Sequence, residues 1–98
     1  MTAPEVTIRD NDAKHRYELL LDGKRAGELV YHRSNGVVTL VHTEVAPKLK
    51  GRGLGEQLVA GVLDEIRQQD LHIVPLCPFV KEYLGRHPED ADLVERRP

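Results

Sequence analysis

The first half of the chain alternates apolar and polar residues over short stretches, which is the pattern of half-buried strands. Asp22-Gly23 follows the second stretch and Ser34-Asn35-Gly36 follows the third, and both sequences are typical of tight hairpin turns. Because short turns join strands antiparallel, the pattern predicts an antiparallel meander. The four expected strands are Val6–Asp10, Tyr17–Leu21, Ala26–His32 and Val37–Val45.

The hydrophobic period changes in the second half. Between Gly53 and Gln69 apolar residues recur every four positions, and polar side chains cover the opposite side, which indicates an amphipathic helix. Residues 71–77 then read as a fifth strand that Pro78 ends. A short second helix is expected to end near Gly85, and a last turn is expected to open at Pro88. The apolar face of the second helix comprises Phe79, Val80, Tyr83 and Leu84.

The element order is therefore β-β-β-β-α-β-α. The segment from Val37 to Leu76 is long enough for a right-handed crossover, so the fifth strand should run parallel to the fourth. These elements predict an α/β (α+β) fold with a mixed, mostly antiparallel sheet. With 98 residues, the chain is expected to form a single domain over 1–98.

Composition narrows the classes of partner. The formal net charge is −2, so no global basic field favours nucleic acid or an anionic membrane, and no apolar run approaches the roughly 18 residues that span a bilayer.

Cys77 is the only cysteine and no secretory signal is evident, so a cytoplasmic location is expected. No His-x-x-x-His or paired-cysteine spacing predicts a metal site. The acidic residues Glu89, Asp90 and Asp92 are expected to form a solvated face.

A basic, glycine-rich segment runs from Lys48 to Gly55, between the fourth strand and the long helix, and it is the strongest candidate for a binding site in the sequence. Its glycines are Gly51, Gly53 and Gly55, and its cations are Lys48, Lys50 and Arg52. Glycines allow positive φ angles and a close approach of a ligand to the backbone, and the first amides of a helix attract anions. The segment therefore predicts a phosphate or pyrophosphate site, with a flexible solvated loop as the alternative.

Spacing excludes two common nucleotide-binding motifs. A P-loop requires Lys and then Ser or Thr after its last glycine, whereas Glu56 and Gln57 follow Gly55. A dinucleotide fingerprint requires its third glycine where Glu56 stands, and it follows a strand of a parallel sheet. A phosphate ligand at this segment would therefore be held by a motif other than the P-loop or the dinucleotide fingerprint.

The segment Lys50-Gly51-Arg52-Gly53-Leu54-Gly55 resembles the Arg/Gln-x-x-Gly-x-Gly/Ala motif of GNAT acyltransferases, with Lys50 where that family usually has Arg or Gln. Lysine keeps the charge but lacks the planar fork of arginine. The flanking pieces His42-Thr-Glu-Val, Pro75-Leu-Cys-Pro-Phe-Val and Tyr83-Leu-Gly-Arg-His-Pro-Glu resemble a small single-domain GNAT-type N-acetyltransferase-like family. The resemblance covers most of residues 29–94.

This resemblance implies a GNAT-like sheet in which the parallel fourth and fifth strands splay apart and acetyl-CoA enters the gap as cosubstrate. The pyrophosphate would be held by the amides from Arg52 to Glu56, and the pantetheine arm would run beside the fourth strand. The expected cofactor-binding residues are Thr43, Glu44, Val45, Lys50, Gly51, Arg52, Gly53, Leu54, Gly55 and Glu56.

Transfer of an acetyl group to an amine needs a base for the ammonium proton, and His42 is the candidate. Strand alternation places His42 on one face with Val38 and Leu40, so a hydrogen-bonded core histidine is the alternative. Cys77, expected across the splay from His42, is either an acetylated nucleophile or a small buried hydrophobe beside the thioester. Tyr83 is a further candidate, as the acid for the CoA thiolate, although packing is the simpler role.

The sequence thus predicts an N-acetyltransferase that uses acetyl-CoA and a small-molecule or protein amine, without a metal, nucleic acid or membrane partner. Two rival functions stay open: a non-catalytic acyl-CoA-binding or protein-interaction module, and a binder of another phosphorylated ligand. Neither the acceptor nor the oligomeric state can be read from the sequence.

Overall fold

The computed structural model describes residues 4–95. The strands and helices are β1 (Val6–Asn11), β2 (Arg16–Leu21), β3 (Lys24–Ser34), β4 (Val37–Val45), α1 (Leu54–Gln68), β5 (His72–Pro75) and α2 (Pro78–Arg86). Short 3-10 turns cover Asp12–Lys14, Pro47–Leu49 and Pro88–Leu93. The predicted element order is confirmed, including the last turn at Pro88.

The strands form one sheet in the order β1-β2-β3-β4-β5. The first four pair antiparallel with their neighbours, and β5 pairs parallel with β4. Because α1 lies between β4 and β5 in the chain, the parallel pairing of these two strands that the sequence predicted is confirmed. The mixed, mostly antiparallel fold is confirmed.

The hydrophobic core lies between α1 and one face of the sheet. The apolar stripe predicted for α1 is buried at every position, and the strands contribute the alternate residues that point toward it. The core residues fully buried on the two sides include Leu58, Val59, Val62 and Ile66 from α1, and Leu19, Leu29, Val38, Leu40 and Ile73 from the sheet.

The splay between β4 and β5 begins at Leu40. The parallel ladder ends with the pair Leu40–Pro75, and the next two amides, of Leu76 and Cys77, both donate to the Leu40 carbonyl at 3.0 and 2.9 Å. The chain therefore turns away from β4 at this point, and the predicted strand over 71–77 is too long at its C-terminal end. Residues 41–45 of β4 continue without a partner in β5.

The opposite face of the sheet carries charge instead of a helix. Glu18 on β2 is only 1% exposed, and its carboxylate accepts hydrogen bonds from Arg9, Arg16 and Asn11. The Arg9 hydrogen bond, opposed by desolvation and reinforced by Arg16, lowers the pKa of Glu18 to about 2. A buried carboxylate on this face is tolerated because its oxygens are fully partnered.

The C-terminal turn is joined to the domain by exposed ion pairs. Arg67 of α1 donates to Asp92 at 2.8 and 2.9 Å and to Asp90 at 3.2 Å. The side chains of Glu89 and Asp92 are 68% and 62% exposed, so the expected solvated face is confirmed for them, whereas Asp90 is half-buried. Beyond the turn, Val94 bridges Ile73 of β5 in parallel. Within residues 4–95, neither helix is long and apolar enough to cross a membrane.

Candidate active site

The glycine turn leads directly into the N-terminus of α1. Gly51 and Gly53 have φ angles of 84° and 73°, in the left-handed region that side chains disfavour, and Gly53 is the residue immediately before the helix. Gly55 differs, because it lies inside the helix and is absent from the residues with positive φ. The expectation that all three glycines provide positive φ is therefore confirmed for two of them and wrong for Gly55.

The start of α1 presents unpaired donors. The first helical hydrogen bond runs from the amide of Gln57 to the carbonyl of Gly53, and no side chain caps the helix. Among the residues described, no acceptor is recorded for the amides of Leu54, Gly55 and Glu56. These donors, together with the positive end of the helix dipole, form a site for an anion.

The cations of the turn are also unpaired. Lys48, Lys50 and Arg52 are exposed, and within the described part of the chain none of them joins an ion pair or a side-chain hydrogen bond. By contrast, Arg67 and Arg33 are engaged with carboxylates. Unpaired positive charge beside free helix amides is the electrostatic arrangement that binds phosphate.

A groove of about 480 Å³ joins this turn to the far end of β4. Its lining includes nine of the ten predicted cofactor-binding residues. The lining residues are His42, Thr43, Glu44, Val45, Leu49, Lys50, Gly51, Gly53, Leu54, Gly55, Glu56 and Phe79. Arg52 is the predicted residue outside this lining, on the exposed side of the turn. The groove follows the edge of β4 that the splay leaves free.

A β-bulge places His42 in the groove. Val30 of β3 pairs with His42 and Tyr31 pairs with Leu40, which leaves Val41 as an extra residue on β4. The extra residue breaks the alternation, so the His42 side chain is 60% exposed although Leu40 is fully buried. The alternative of a core histidine is therefore wrong. Within residues 4–95, the ion-pair partner of His42 is Glu44, whose Oε2 lies 3.9 Å from Nε2.

Cys77 lies just beyond β5, as the residue that precedes α2. Its thiol is buried, with 2% of the residue exposed, and Sγ lies 3.3 Å from Thr43 Oγ1. This contact crosses the splay and joins Cys77 to a residue of the groove wall. No hydrogen bond between His42 and Cys77 occurs in residues 4–95, so the polar partner of the thiol is Thr43 rather than the histidine.

Tyr83 packs rather than facing the groove. It is 6% exposed, its ring stacks on His87 with centroids 4.0 Å apart, and it is not among the residues that line the groove. Burial raises the pKa of its hydroxyl. These observations favour the packing role over that of an acid for the thiolate.

Phe79 lines the groove, although the sequence placed it on the packed face of α2. The residue is 38% exposed, and its ring lies against Gly55. A Cβ atom at position 55 would come 2.8 Å from the Phe79 Cζ, closer than side chains tolerate. The signal available in the sequence was the missing side chain at Gly55, the second residue of α1, where a positive φ is not needed.

The fold and the groove together define a class of protein. Its members combine a mixed sheet with splayed parallel strands and an anion site at the start of the crossover helix. The model of the GCN5-related N-acetyl-transferases matches residues 16–93. Protein NATD1 of Xenopus tropicalis is 30% identical over 89 residues, covering 87% of this chain and 82% of that protein. This chain therefore belongs to the GCN5-related N-acetyltransferase family.

Solved structures share the fold. A GCN5-like protein from Staphylococcus aureus is similar with a TM-score of 0.67 and 22% identity, over 100% of this chain and 94% of its own. The ribosomal-protein-S18-alanine N-acetyltransferase from Escherichia coli is similar with a TM-score of 0.57 and 21% identity, over 67% of this chain and 43% of its own. At these identities the likeness describes the fold alone.

Proposed function

We propose that this protein binds acetyl-CoA in the groove and transfers the acetyl group to an amine. The observation that carries the proposal is the continuity of the groove from the anion site at Gly53 to His42 on the bulge of β4. The chemical groups of acetyl-CoA follow one another in the same order as the features of the groove, because a pyrophosphate is joined to a long neutral arm that ends in a thioester. Membership of an N-acetyltransferase family supports the same conclusion.

The coenzyme fits the groups available. Its pyrophosphate would accept hydrogen bonds from the amides of Leu54, Gly55 and Glu56 and would meet the unpaired cations of the turn. Its pantetheine arm would lie along Thr43, Glu44 and Val45, at the edge of β4 that β5 leaves free. The thioester would then reach the region of the bulge.

His42 is the proposed base. The neutral amine attacks the thioester carbonyl, the carbon–sulfur bond breaks, and the CoA thiolate leaves and takes up the proton that the acetylated nitrogen gives up. Before the attack, an ammonium proton must pass to a base, and His42 is an exposed imidazole in the same groove. The carboxylate of Glu44 lies beside the ring, with Oε2 3.9 Å from Nε2.

Direct transfer is favoured over an acetyl-cysteine intermediate. The Cys77 thiol is buried, contacts a threonine hydroxyl, and has no base within hydrogen-bonding distance in the described residues. A nucleophilic thiol is normally activated by a neighbouring base or cation. Cys77 therefore acts in this proposal as a buried residue behind the groove, where it contacts Thr43 of the lining.

The ligand is tested by a thermal-shift titration with acetyl-CoA, CoA, ATP and NAD. Acetyl-CoA and CoA should raise the unfolding midpoint at concentrations where ATP and NAD do not, because a ligand that binds the folded state stabilises it. Equal shifts from all four compounds would leave only a general phosphate binder.

The transfer is tested by thiol release from acetyl-CoA in the presence of polyamines, amino acids and peptides. Release that depends on one class of amine supports the transferase and identifies its acceptor. Tight binding of acetyl-CoA without release in any of these mixtures would favour the rival function, a non-catalytic acyl-CoA-binding module.

A further inference from the structure

Two exposed apolar residues lie on neighbouring strands at the point where β4 and β5 separate. Leu40 and Pro75 form the last pair of the parallel ladder, so Val41 and Leu76 are the next residue on each strand. The amide of Leu76 still donates to the Leu40 carbonyl at 3.0 Å, which keeps the two strands together at this level. Val41 is 44% exposed and Leu76 is 55% exposed, so together they form an apolar patch at the splay.

The patch belongs to the face of the sheet opposite α1. Leu40 precedes Val41 and is fully buried in the core, and Cys77 follows Leu76 and is also buried, whereas the two residues of the patch are exposed. His42 is on the same side of the chain, since it follows Val41 at the bulge and is itself 60% exposed. The imidazole therefore lies where the groove meets this face, beside the patch.

The carboxylates that β2, β3 and β4 contribute to this face are Glu18, Glu28 and Glu44, which are neighbours in the pairing register. Glu18 and Glu28 each form ion pairs with two arginines. Within residues 4–95, the ion-pair partner of Glu44 is His42, with 3.9 Å between Oε2 and Nε2. This part of the face therefore offers one carboxylate to a cation and an apolar patch next to it.

Resting on the proposed function, we infer that the acceptor is a small amine with a single ammonium group and an apolar chain, bound on the face opposite α1. The ammonium meets Glu44 and gives one proton to His42. The nitrogen then bonds to the acetyl carbon as the carbon–sulfur bond breaks, and its second proton goes to the CoA thiolate. The apolar chain packs on Val41 and Leu76, because burying it there removes apolar surface of both partners from water.

A polyamine matches this face less well than an amine with one charge. Its second ammonium would lie over the apolar patch, where it loses water without gaining a partner, or beside Glu28. The charge of Glu28 is already offset by Arg25 at 2.9 Å and Arg16 at 3.5 Å, and both arginines would repel the amine. The distribution of charge on this face thus favours one ammonium group over two.

Pentylamine and 1,4-diaminobutane test the inference directly, because their chains are equally long and differ at the far end, a methyl group against a second ammonium. Thiol release from acetyl-CoA should give a kcat/KM at least about tenfold higher for pentylamine. Pentylamine should also exceed ethylamine by about tenfold, since ethylamine lacks most of the chain that would cover the patch. A kcat/KM for 1,4-diaminobutane equal to or above that for pentylamine would overturn the inference.

The patch is tested with Leu76→Ala and Val41→Thr, two changes at exposed positions that reduce apolar surface. In each variant the ratio of kcat/KM for pentylamine to that for ethylamine should fall by about three- to tenfold. Val6→Ala is the matched control, because Val6 is an exposed valine on the far edge strand β1 and its loss should leave the ratio unchanged. A wild-type ratio in both patch variants, with circular dichroism showing that they are folded, would overturn the contact.

The carboxylate is tested with Glu44→Gln, which keeps the shape of the side chain and removes its charge. The KM for pentylamine should rise about threefold, a modest effect because the side chain is 67% exposed, and added salt should reduce the difference from the wild type. The KM for acetyl-CoA should stay within about twofold, since the pantetheine arm is uncharged. An equal rise in both constants would mean that Glu44 acts on the coenzyme and would overturn its role toward the ammonium.

The failure of this inference is distinguishable from the failure of the proposed function. A wild-type protein that does not bind acetyl-CoA, or that releases no thiol with any amine or peptide, removes both. Thiol release with 1,4-diaminobutane or a lysine-containing peptide, but not with pentylamine, removes the apolar monoamine alone and leaves the groove and its proposed chemistry in place.

Discussion

At the scale of single residues, the site depends on two departures from regular structure. The extra residue Val41 turns His42 out of the core, and the absence of a side chain at Gly55 lets Phe79 approach the helix. Bulges and glycines of this kind often occur beside active sites, because they redirect a side chain without changing the fold. Both features are local, so each can be tested by a single substitution.

Gly55→Ala should weaken acetyl-CoA binding without unfolding the protein. The new Cβ would displace the Phe79 ring, either into the groove or away from it, and both positions change the lining of the groove. Gly85→Ala in α2 is the control, since a Cβ there meets nothing within 4 Å, and it should raise stability by about 0.4–1 kcal/mol. Titration of both variants checks this, and an unchanged affinity in Gly55→Ala would show that the ring position is unimportant.

Substitution of Cys77 separates the two transfer routes. Cys77→Ala should keep most of the transfer activity, because the thiol is buried and bonded to Thr43, whereas His42→Gln should lower kcat by about 10²- to 10⁴-fold, the usual contribution of a general base. Steady-state kinetics with the identified acceptor measure both. Loss of activity in Cys77→Ala, together with an acetylated Cys77 trapped in the wild type, would establish the covalent route instead.

At the scale of elements, the order of strands and helices was predictable because each has a clear period. The α1 stripe and the Asp22-Gly23 hairpin depend only on neighbours in sequence, and both were predicted to within two or three residues. The early end of β5 and the bulge at Val41 were not predicted, because both depend on how β4 and β5 separate in space. The same distinction holds for the candidate site: motifs in the sequence predicted its β4 and turn residues, whereas Phe79 could be found only from the packing of α2 on α1.

Because of the charged face of β1 and β2, the free energy of unfolding should depend on pH in the acid range. Glu18 has its pKa lowered from 4.5 to about 2, chiefly by the hydrogen bond from Arg9, so its ionised form stabilises the folded state above about pH 4.5. That contribution should be lost as the pH falls from about 4.5 to 2. Urea unfolding at several pH values should show a shallower decline for Glu18→Gln across this window than for the wild type.

Glu5→Gln provides the control for this pH dependence, since the Glu5 side chain is exposed and makes no recorded side-chain contact. Its unfolding free energy should follow the wild-type curve. Parallel curves for Glu18→Gln and the wild type would contradict the assignment of the acid loss to Glu18.

At the scale of the whole molecule, the C-terminal turn covers the edge of the sheet. Leu93 is buried in the core, Val94 bridges Ile73, and the amide of Glu95 donates to the Ile73 carbonyl at 2.7 Å. The edge of β5 that faces away from β4 is therefore paired, which removes an open edge from a short parallel strand. The turn thereby stabilises the strand that forms one side of the splay.

Leu93→Ala should lower the free energy of unfolding by about 2–5 kcal/mol, as expected for a buried leucine that leaves a cavity. Leu76→Ala, at a position that is 55% exposed, should change it by no more than about 0.5 kcal/mol. Chemical denaturation of both variants gives the comparison. A Leu93 variant as stable as the wild type would mean that the C-terminal turn contributes little to the core.

The central claim is that the start of α1 holds the phosphates of acetyl-CoA, and amide chemical shifts of the ¹⁵N-labelled protein test it most directly. Addition of acetyl-CoA should move the amide resonances of Leu54, Gly55 and Glu56 most strongly, with smaller changes along Thr43 to Val45. The β1–β2 hairpin should remain unchanged. Saturating acetyl-CoA that leaves the amides of Leu54 to Glu56 in place would contradict the account.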